Sequence, residues 1–263
     1  MSEEKLLFDR EGPVATLTLN RPAMMNALDY ALGGLVKAAL DECLADESIR
    51  VVRITGAGRA FCAGDDLNDM PEAPGRRPVL ETLNAYATSP YYVLIHAVRS
   101  LPKPVVAQVN GHAVAAGCDL ALSCDFTYAA TSAKLGFTYS RYGMVGGTHT
   151  LQRLVGLKRA TELLMTGRMV PAEEAAALGL ITAAVPDEDL GDAVDSLIAR
   201  LSKAPTRSLG YIKEGLDYAY SVGSRDLALR HEAFLNTQAA TTEDYREGWQ
   251  SFLEKREPQY KGR

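Results

Sequence analysis

Strands alternating with helices predict a layered α/β fold for this chain of 263 residues. Three observations carry that expectation. Short β-branched runs, Val51 to Thr55 and Val105 to Val109, stand immediately before turn residues. Apolar residues at helical spacing separate those runs. At that rhythm, neighbouring parallel strands are joined by right-handed crossovers, with helices packed on the sheet. The length suits one large domain, or one domain with a small appendage, and an ample core.

Taken in order, Leu6 to Asn20 reads as two strands, LLFD and VATLTLN, joined through Arg10-Glu11-Gly12-Pro13 as a hairpin. Asn20-Arg21-Pro22 ends the second strand. Asn26 then precedes a helix carried by Ala27, Leu28, Leu32, Leu35, Val36, Ala39, Leu40, Cys43 and Leu44. The strand 51–55 follows and breaks at Gly56-Ala57-Gly58-Arg59. Met70 to Arg77, rich in Pro, Gly and Arg, reads as a loop. Leu80 to Arg99 reads as a helix that Pro90 kinks or restarts. The strand 105–109 and its turn come next, then Phe126 to Ala130 as another strand.

The formal net charge of −5 argues against a nucleic-acid partner, which needs a clustered basic face. No apolar run approaches the roughly 20 residues of a membrane span. The acidic start Met1-Ser2-Glu3-Glu4-Lys5 lacks the basic and apolar regions of a signal peptide. Cys43, Cys62, Cys118 and Cys124 show no metal-ligand spacing, so reduced, packed thiols in a cytoplasmic protein are expected, with no metal site.

The chemistry centres on Lys103 to Asp125. Asn110-Gly111 turns the chain after the strand, and small residues from Ala113 to Gly117 lead into an apolar helix. Small residues at a helix start let a ligand approach free backbone N–H groups at the positive end of the helix dipole. Asp119, one turn in, projects a carboxylate beside them. The plain alternative is close packing plus an acid favoured by the dipole. A second stretch, Ala60-Phe61-Cys62-Ala63-Gly64-Asp65-Asp66-Leu67, repeats the strand, glycine turn and small-residue pattern. Two such elements can aim two N–H donors at one carbonyl oxygen.

These two stretches, with Asn20-Arg21-Pro22, Asn26-Ala27-Leu28 and the ending Glu254-Lys255-Arg256, resemble in sequence and order the crotonase family of enoyl-CoA hydratases and isomerases. The resemblance covers nearly the whole chain. It implies a crotonase-like spiral of ββα units over residues 1–200 and a C-terminal helical oligomerisation region over 201–263. The helical part of such a fold would begin near Leu151, with helices near 158–166, 172–178, 189–202, 205–221, 224–239 and 243–253.

The resemblance also implies site roles. The N–H groups of Asp65 and Ala116 would form the oxyanion hole for a thioester enolate, with the Asp65 side chain turned away. Asp119 falls at the first catalytic carboxylate position, on a shorter stem. Tyr139 falls at the second, where the family has glutamate; an ordinary tyrosine, with a pKa near 10, is a proton or hydrogen-bond donor and a poor base. Gly147 matches a backbone N–H that binds the reacting water. His149, a pH-tuned participant or a capping and packing residue, replaces a small residue there. Met24, Met25, Ala63, Gly64, Asp66, Leu67 and Gly117 match the coenzyme A and substrate path. Phe252 and Lys255 match residues supplied by a neighbouring subunit, so a homotrimer or a dimer of trimers is implied. The cofactor is none beyond the coenzyme A of the substrate itself.

The leading reading is a 2-enoyl-CoA hydratase acting through an enolate. Tyr139 motivates an isomerase, or a CoA-thioester hydrolase or decarboxylase, as the alternative. A non-catalytic acyl-CoA-binding oligomer is the reading from another class. The acyl group carries no readable code in the sequence.

Overall fold

A computed structural model describes residues 4–69 and 89–263. The expected loop at 70–77, and the expected helix before residue 89, lie outside the described residues. Strands β1 (Leu6–Glu11) and β2 (Val14–Leu19) form the hairpin, in register from Leu6 opposite Leu19 to Glu11 opposite Val14. They begin a six-stranded sheet that continues in parallel through β3 (Val51–Gly56), β5 (Val105–Val109), β7 (Phe126–Ala130) and β10 (Ala183–Val185). A second sheet holds β4 (Ala60–Cys62), β6 (His112–Val114), β8 (Lys134–Gly136) and, antiparallel at its edge, β9 (Met169–Pro171).

The pattern explains the spiral. Each of β3–β4, β5–β6 and β7–β8 gives one strand to each sheet, and the chain then returns through a helix. The residues of β3 and β5 are almost wholly buried, which is why they read as apolar runs. The three-residue strands of the second sheet were not expected, because a segment that short has no readable period.

Helix α1 (Tyr30–Ala45) starts later than the sequence suggested. Asp29 caps it by accepting the Leu32 N–H at 2.7 Å. Ala27 and Leu28 are extended instead, because Asn26 takes a left-handed conformation with φ 58°. Its buried side chain donates to Ala57 O at 2.9 Å and Ala60 O at 2.8 Å, and accepts the Arg21 N–H at 2.9 Å. Leu28 can then bond the stretch after β4: its N–H donates to Gly64 O at 2.8 Å and its carbonyl accepts the Asp66 N–H at 2.9 Å.

The next described helix, α2 (Pro90–Ser100), starts with Pro90 in its first turn, where the missing proline N–H costs nothing. Helix α3 (Ala116–Ser123) is buried along its whole length. Helix α4 (Thr148–Thr166) begins ten residues before the expected 158 and is interrupted at Gly156, φ 72°. The remaining helices lie close to expectation: α5 (Ala172–Ala177), α6 (Leu190–Leu201), α7 (Thr206–Val222), α8 (Arg225–Ala239) and α9 (Glu243–Glu254). Helix α7 docks on the core through Lys213, whose ammonium donates to Val98 O at 2.7 Å and pairs with Asp125 at 2.9 Å. No helix among the described residues is long and apolar enough to cross a membrane.

Asn26 therefore ties three segments that approach the site. Asn26→Ala orphans several buried backbone groups, each worth about 1–3 kcal/mol. The expected loss of stability is about 2–4 kcal/mol, read from denaturant midpoints; a loss below about 1 kcal/mol would show those bonds to be redundant.

Candidate active site

Helix α3 enters the site through strained backbone. Ala115, just before it, has φ 47° and ψ −122°, and its N–H donates to Gly136 O at 2.7 Å. A non-glycine residue in that region costs about 1–3 kcal/mol and persists only where its surroundings hold it. Gly64, with φ 95°, packs against the same turn: a Cβ there would lie 2.8 Å from Val114 O, 3.1 Å from the Ala115 Cβ and 3.4 Å from Ala116 N. The two glycine-turn elements thus meet, with the Asp65 and Ala116 backbones side by side. Among the described residues the Ala116 N–H has no backbone or side-chain acceptor.

Asp119 is completely buried one turn into α3. The Tyr139 hydroxyl donates to its Oδ2 in a short hydrogen bond, while its Oδ1 has no hydrogen-bond partner among the described residues. Burial lifts the Asp119 pKa to about 7. The Tyr139 and Tyr91 hydroxyls pull it back down, and the Asp65 charge adds a smaller upward push. At neutral pH this carboxyl divides between acid and base, the balance a proton-transfer catalyst needs.

Tyr139 is held in place from the other side by Gly146, where any Cβ would meet the phenol ring at 2.5–2.8 Å. Burial, and then the Asp119 charge, push its pKa far above the ordinary tyrosine value. Losing that proton would place a second buried anion beside Asp119, so in this structure Tyr139 stands as a hydrogen-bond donor to the carboxylate.

The Asp65 side chain is half-buried; burial raises its pKa to about 6, and its charge adds the smallest of the upward pushes on Asp119 and Tyr139. The Gly147 N–H, expected to hold a water, donates to the Tyr91 hydroxyl at 3.0 Å. Tyr91 was not singled out from the sequence. It sits in the first turn of α2, its ring edge-on to Tyr139 at 6.2 Å, and its hydroxyl touches the environment of Asp119. Only the Pro90-Tyr91-Tyr92 helix start could have pointed to it, and nothing local says what it faces.

The other expected residues divide. Met25 O accepts the Ala63 N–H at 2.9 Å, so Met24, Met25 and Ala63 lie together, with both methionines partly exposed. Asp66 is engaged by Arg21 at 2.9 Å and steadies the loop, while Leu67 is exposed beside it. Gly117 faces Cys62, where a Cβ would lie 2.4 Å from the Cys62 carbonyl, so only glycine lets α3 pack this closely. His149 is exposed and stands edge-on to Tyr220 at 6.3 Å. Phe252 and Lys255 are on the exposed side of the C-terminal helix α9, and no described contact links them to Asp119. All four cysteines are free and buried, with Cys62 pushed up to about 12 by burial, so none offers a thiolate at neutral pH. Among the described residues no cluster of His, Cys, Asp and Glu is placed to hold a metal.

A two-sheet ββα spiral enclosing one tyrosine-bound carboxylate beside two adjoining backbone turns defines the class of protein, and comparison with known proteins agrees. The family model described as enoyl-CoA hydratase/isomerase matches residues 9–263. The chain belongs to that family. It is 39% identical to the 1,2-epoxyphenylacetyl-CoA isomerase of Escherichia coli strain K12, over 99% of both chains. It is 36% identical to the 2,3-dehydroadipyl-CoA hydratase of the same strain, over 100% of both. Among solved structures, the enoyl-CoA hydratase of Bacillus anthracis superposes with a TM-score of 0.89 at 32% identity, over 99% of this chain and 100% of that one. An enoyl-CoA hydratase of Mycobacterium smegmatis gives a TM-score of 0.90 at 33% identity, over 98% and 99%.

The raised Asp119 pKa sets two pH responses. A base is active when ionised, so kcat/KM on a thioester rises with pH through about 7. Asp65→Asn removes a like charge and shifts that limb to lower pH; an unmoved limb would separate the two carboxylates. For stability the sign is opposite. The folded state holds the Asp119 proton above the ordinary 3.8, so this group's stabilising share falls as pH rises from about 4 to 7. Asp119→Asn should therefore raise Tm at pH 8 by more than at pH 5, as calorimetry would show.

Proposed function

We propose that this chain moves protons at the carbon beside the carbonyl of an acyl-CoA thioester, with Asp119 as the base. The observation that carries the reading is the buried Asp119 carboxylate, one oxygen fixed by Tyr139 and the other unpartnered. The N–H groups of Asp65 and Ala116 then hold the enolate oxygen that forms when the proton leaves. Losing one such donor costs about 3–4 kcal/mol of barrier, so these two amides carry much of the rate.

Double-bond migration fits the geometry best. Asp119 takes a proton from the α-carbon of a 3-enoyl thioester, the electrons spread over the enolate, and the same carboxyl returns the proton to the γ-carbon, leaving a 2-enoyl thioester. One carboxylate suffices for this. Hydration, the leading expectation from the sequence, needs a held water and a second proton-transfer group. Tyr91 stands on the Gly147 N–H where that water would bind, and burial beside Asp119 makes the Tyr139 proton hard to release. Hydration remains the second reading because Asp65 supplies a second desolvated carboxylate and several relatives are named hydratases.

Met24, Met25, Ala63, Asp66 and Leu67 would line the coenzyme A path, chiefly with backbone atoms. The exposed Trp249, Phe252 and Leu253 of α9 support assembly as a trimer or dimer of trimers, in which Phe252 and Lys255 reach a neighbour's coenzyme A site.

The test offers 2-enoyl-CoA and 3-enoyl-CoA of one chain length and weighs the products. Gain of conjugated absorbance without a mass change supports migration, and gain of one water supports hydration. Coenzyme A binding with no turnover of either would favour a non-catalytic binder. Tyr91→Phe frees the Gly147 N–H, so the ratio of hydrated to isomerised product should rise severalfold; an unchanged ratio would remove Tyr91 from the choice of reaction.

A further inference from the structure

The hydrogen-bonded pair Tyr91 and Gly147 stands at the start of two helices, Tyr91 in the first turn of α2 and Gly147 as the cap of α4. Gly147 adjoins the reacting carboxyl: a Cβ there would lie 3.2 Å from Asp119 Oδ1. Further along, the same two helices share a second tie. Arg99 of α2 donates to both oxygens of Asp217 on α7, its Nε to Oδ2 at 3.2 Å. Arg153 of α4 pairs with the Asp217 Oδ1 as well. One carboxylate from a third helix thus holds an arginine from each helix that presents Tyr91 or Gly147.

Between the two ties the helices stand apart. A cavity of about 590 Å³ is lined by Tyr91, Ile95 and Arg99, by Gly147 and Arg153, and by Asp217. At helical rise Arg99 lies about 12 Å along α2 from Tyr91, and Arg153 about 9 Å along α4 from Gly147. Rigid helices carry a shift at the arginine end to the Tyr91–Gly147 end. Each arginine has another contact, but neither joins α2 to α4. Arg99 reaches Asp125 at 3.4 Å, and Asp125 already pairs with Lys213 at 2.9 Å. The Arg153 guanidinium lies over the Tyr220 ring at 4.6 Å. Burial pushes the Asp217 pKa up, but Arg99 and Arg153 pull it below the ordinary value, so the clamp stays charged. Without that charge two guanidiniums gathered at one point repel, and the helices part.

We infer that Asp217 is a positioning residue: by clamping Arg99 and Arg153 it holds α2 against α4, so that the Tyr91 hydroxyl stays on the Gly147 N–H. It thereby keeps that amide from the water that hydration needs and steers the site toward double-bond migration. This rests on the proton-transfer reading above.

The Gly147 amide can be followed directly. Gly33-Gly34 and Gly146-Gly147 are the only Gly-Gly steps in the chain. Glycine labelled at both its carbonyl carbon and its nitrogen therefore gives two amide signals in a carbonyl-correlated NMR spectrum. One is Gly147 and the other is Gly34, an exposed position of α1 that serves as the internal control. Asp217→Asn should speed hydrogen exchange at Gly147 about tenfold and leave Gly34 unchanged. Asp217→Glu should restore most of the protection, and Asp217→Asn added to Tyr91→Phe should change it no further. With the enoyl thioesters, Asp217→Asn should raise the ratio of hydrated to isomerised product, with KM little altered. An unchanged Gly147 rate overturns the inference, as does equal acceleration at both glycines, which describes a general loosening. So does a freed amide whose product ratio stays put while Tyr91→Phe changes it. Should Asp217→Asn not fold, Arg153→Gln removes one arm and leaves Arg99 paired. Faster Gly147 exchange in that variant supports the clamp, and an unchanged rate overturns it. The amide signal needs no substrate, so thioesters that do not react would count against the proposed reaction alone.

Discussion

Enclosing the Asp119 carboxylate shapes everything around it. A carboxylate taken from water is costly unless hydrogen bonds replace the lost solvation. Here one oxygen has a tyrosine hydroxyl and the other has no direct partner. The group is therefore kept close to the point where it gains or loses a proton. The surroundings exist to hold it there: Tyr139 is clamped by Gly146, Tyr91 is tethered to the Gly147 N–H, and α3 is buried along its length. A rigid, dry frame is what allows a weak base to be pre-aimed at a substrate carbon.

The backbone bears part of that cost. Ala115 occupies a conformation that side chains rarely adopt, and Gly64 and Gly117 pack so closely on neighbouring chain that no side chain fits. These contacts bring the start of α3 against the stretch after β4. The Asn26 side chain performs the matching task on the outer side, bonding backbone groups of the segment around β4. Two turns far apart in sequence are thereby set next to one another, with the Ala116 N–H lacking an acceptor among the described residues.

Two tyrosines, Tyr139 and Tyr91, border the buried carboxylate, and each has a distinct task. A phenol in this setting stays neutral and orients Asp119 by donating its proton in a hydrogen bond. A second tyrosine occupies the backbone donor at Gly147. On the adjoining turn stands a second carboxyl, Asp65, whose pKa burial raises to about 6. The chemistry of the site follows from how these groups divide the available protons.

How much of this was legible depends on range. Long periodic segments such as α6 to α9 could be placed within a residue or two, since their apolar spacing is a local property. The turns at Gly64 and Gly117, and the acid at Asp119, were readable because each motif is contiguous. Ala27 and Leu28 were misplaced into a helix because what holds them extended is an Asn26 side chain bonding residues more than thirty positions away. The strands β4, β6, β8 and β9 escaped because three residues carry no period. By itself, then, the sequence determined the α/β class, the family and the carboxylate at the centre. Only the tertiary structure decided which groups surround that carboxylate, that Tyr139 bonds it and that Tyr91 caps Gly147. Desolvation and hydrogen bonding act through space, and they join side chains whose separation along the chain leaves no local mark.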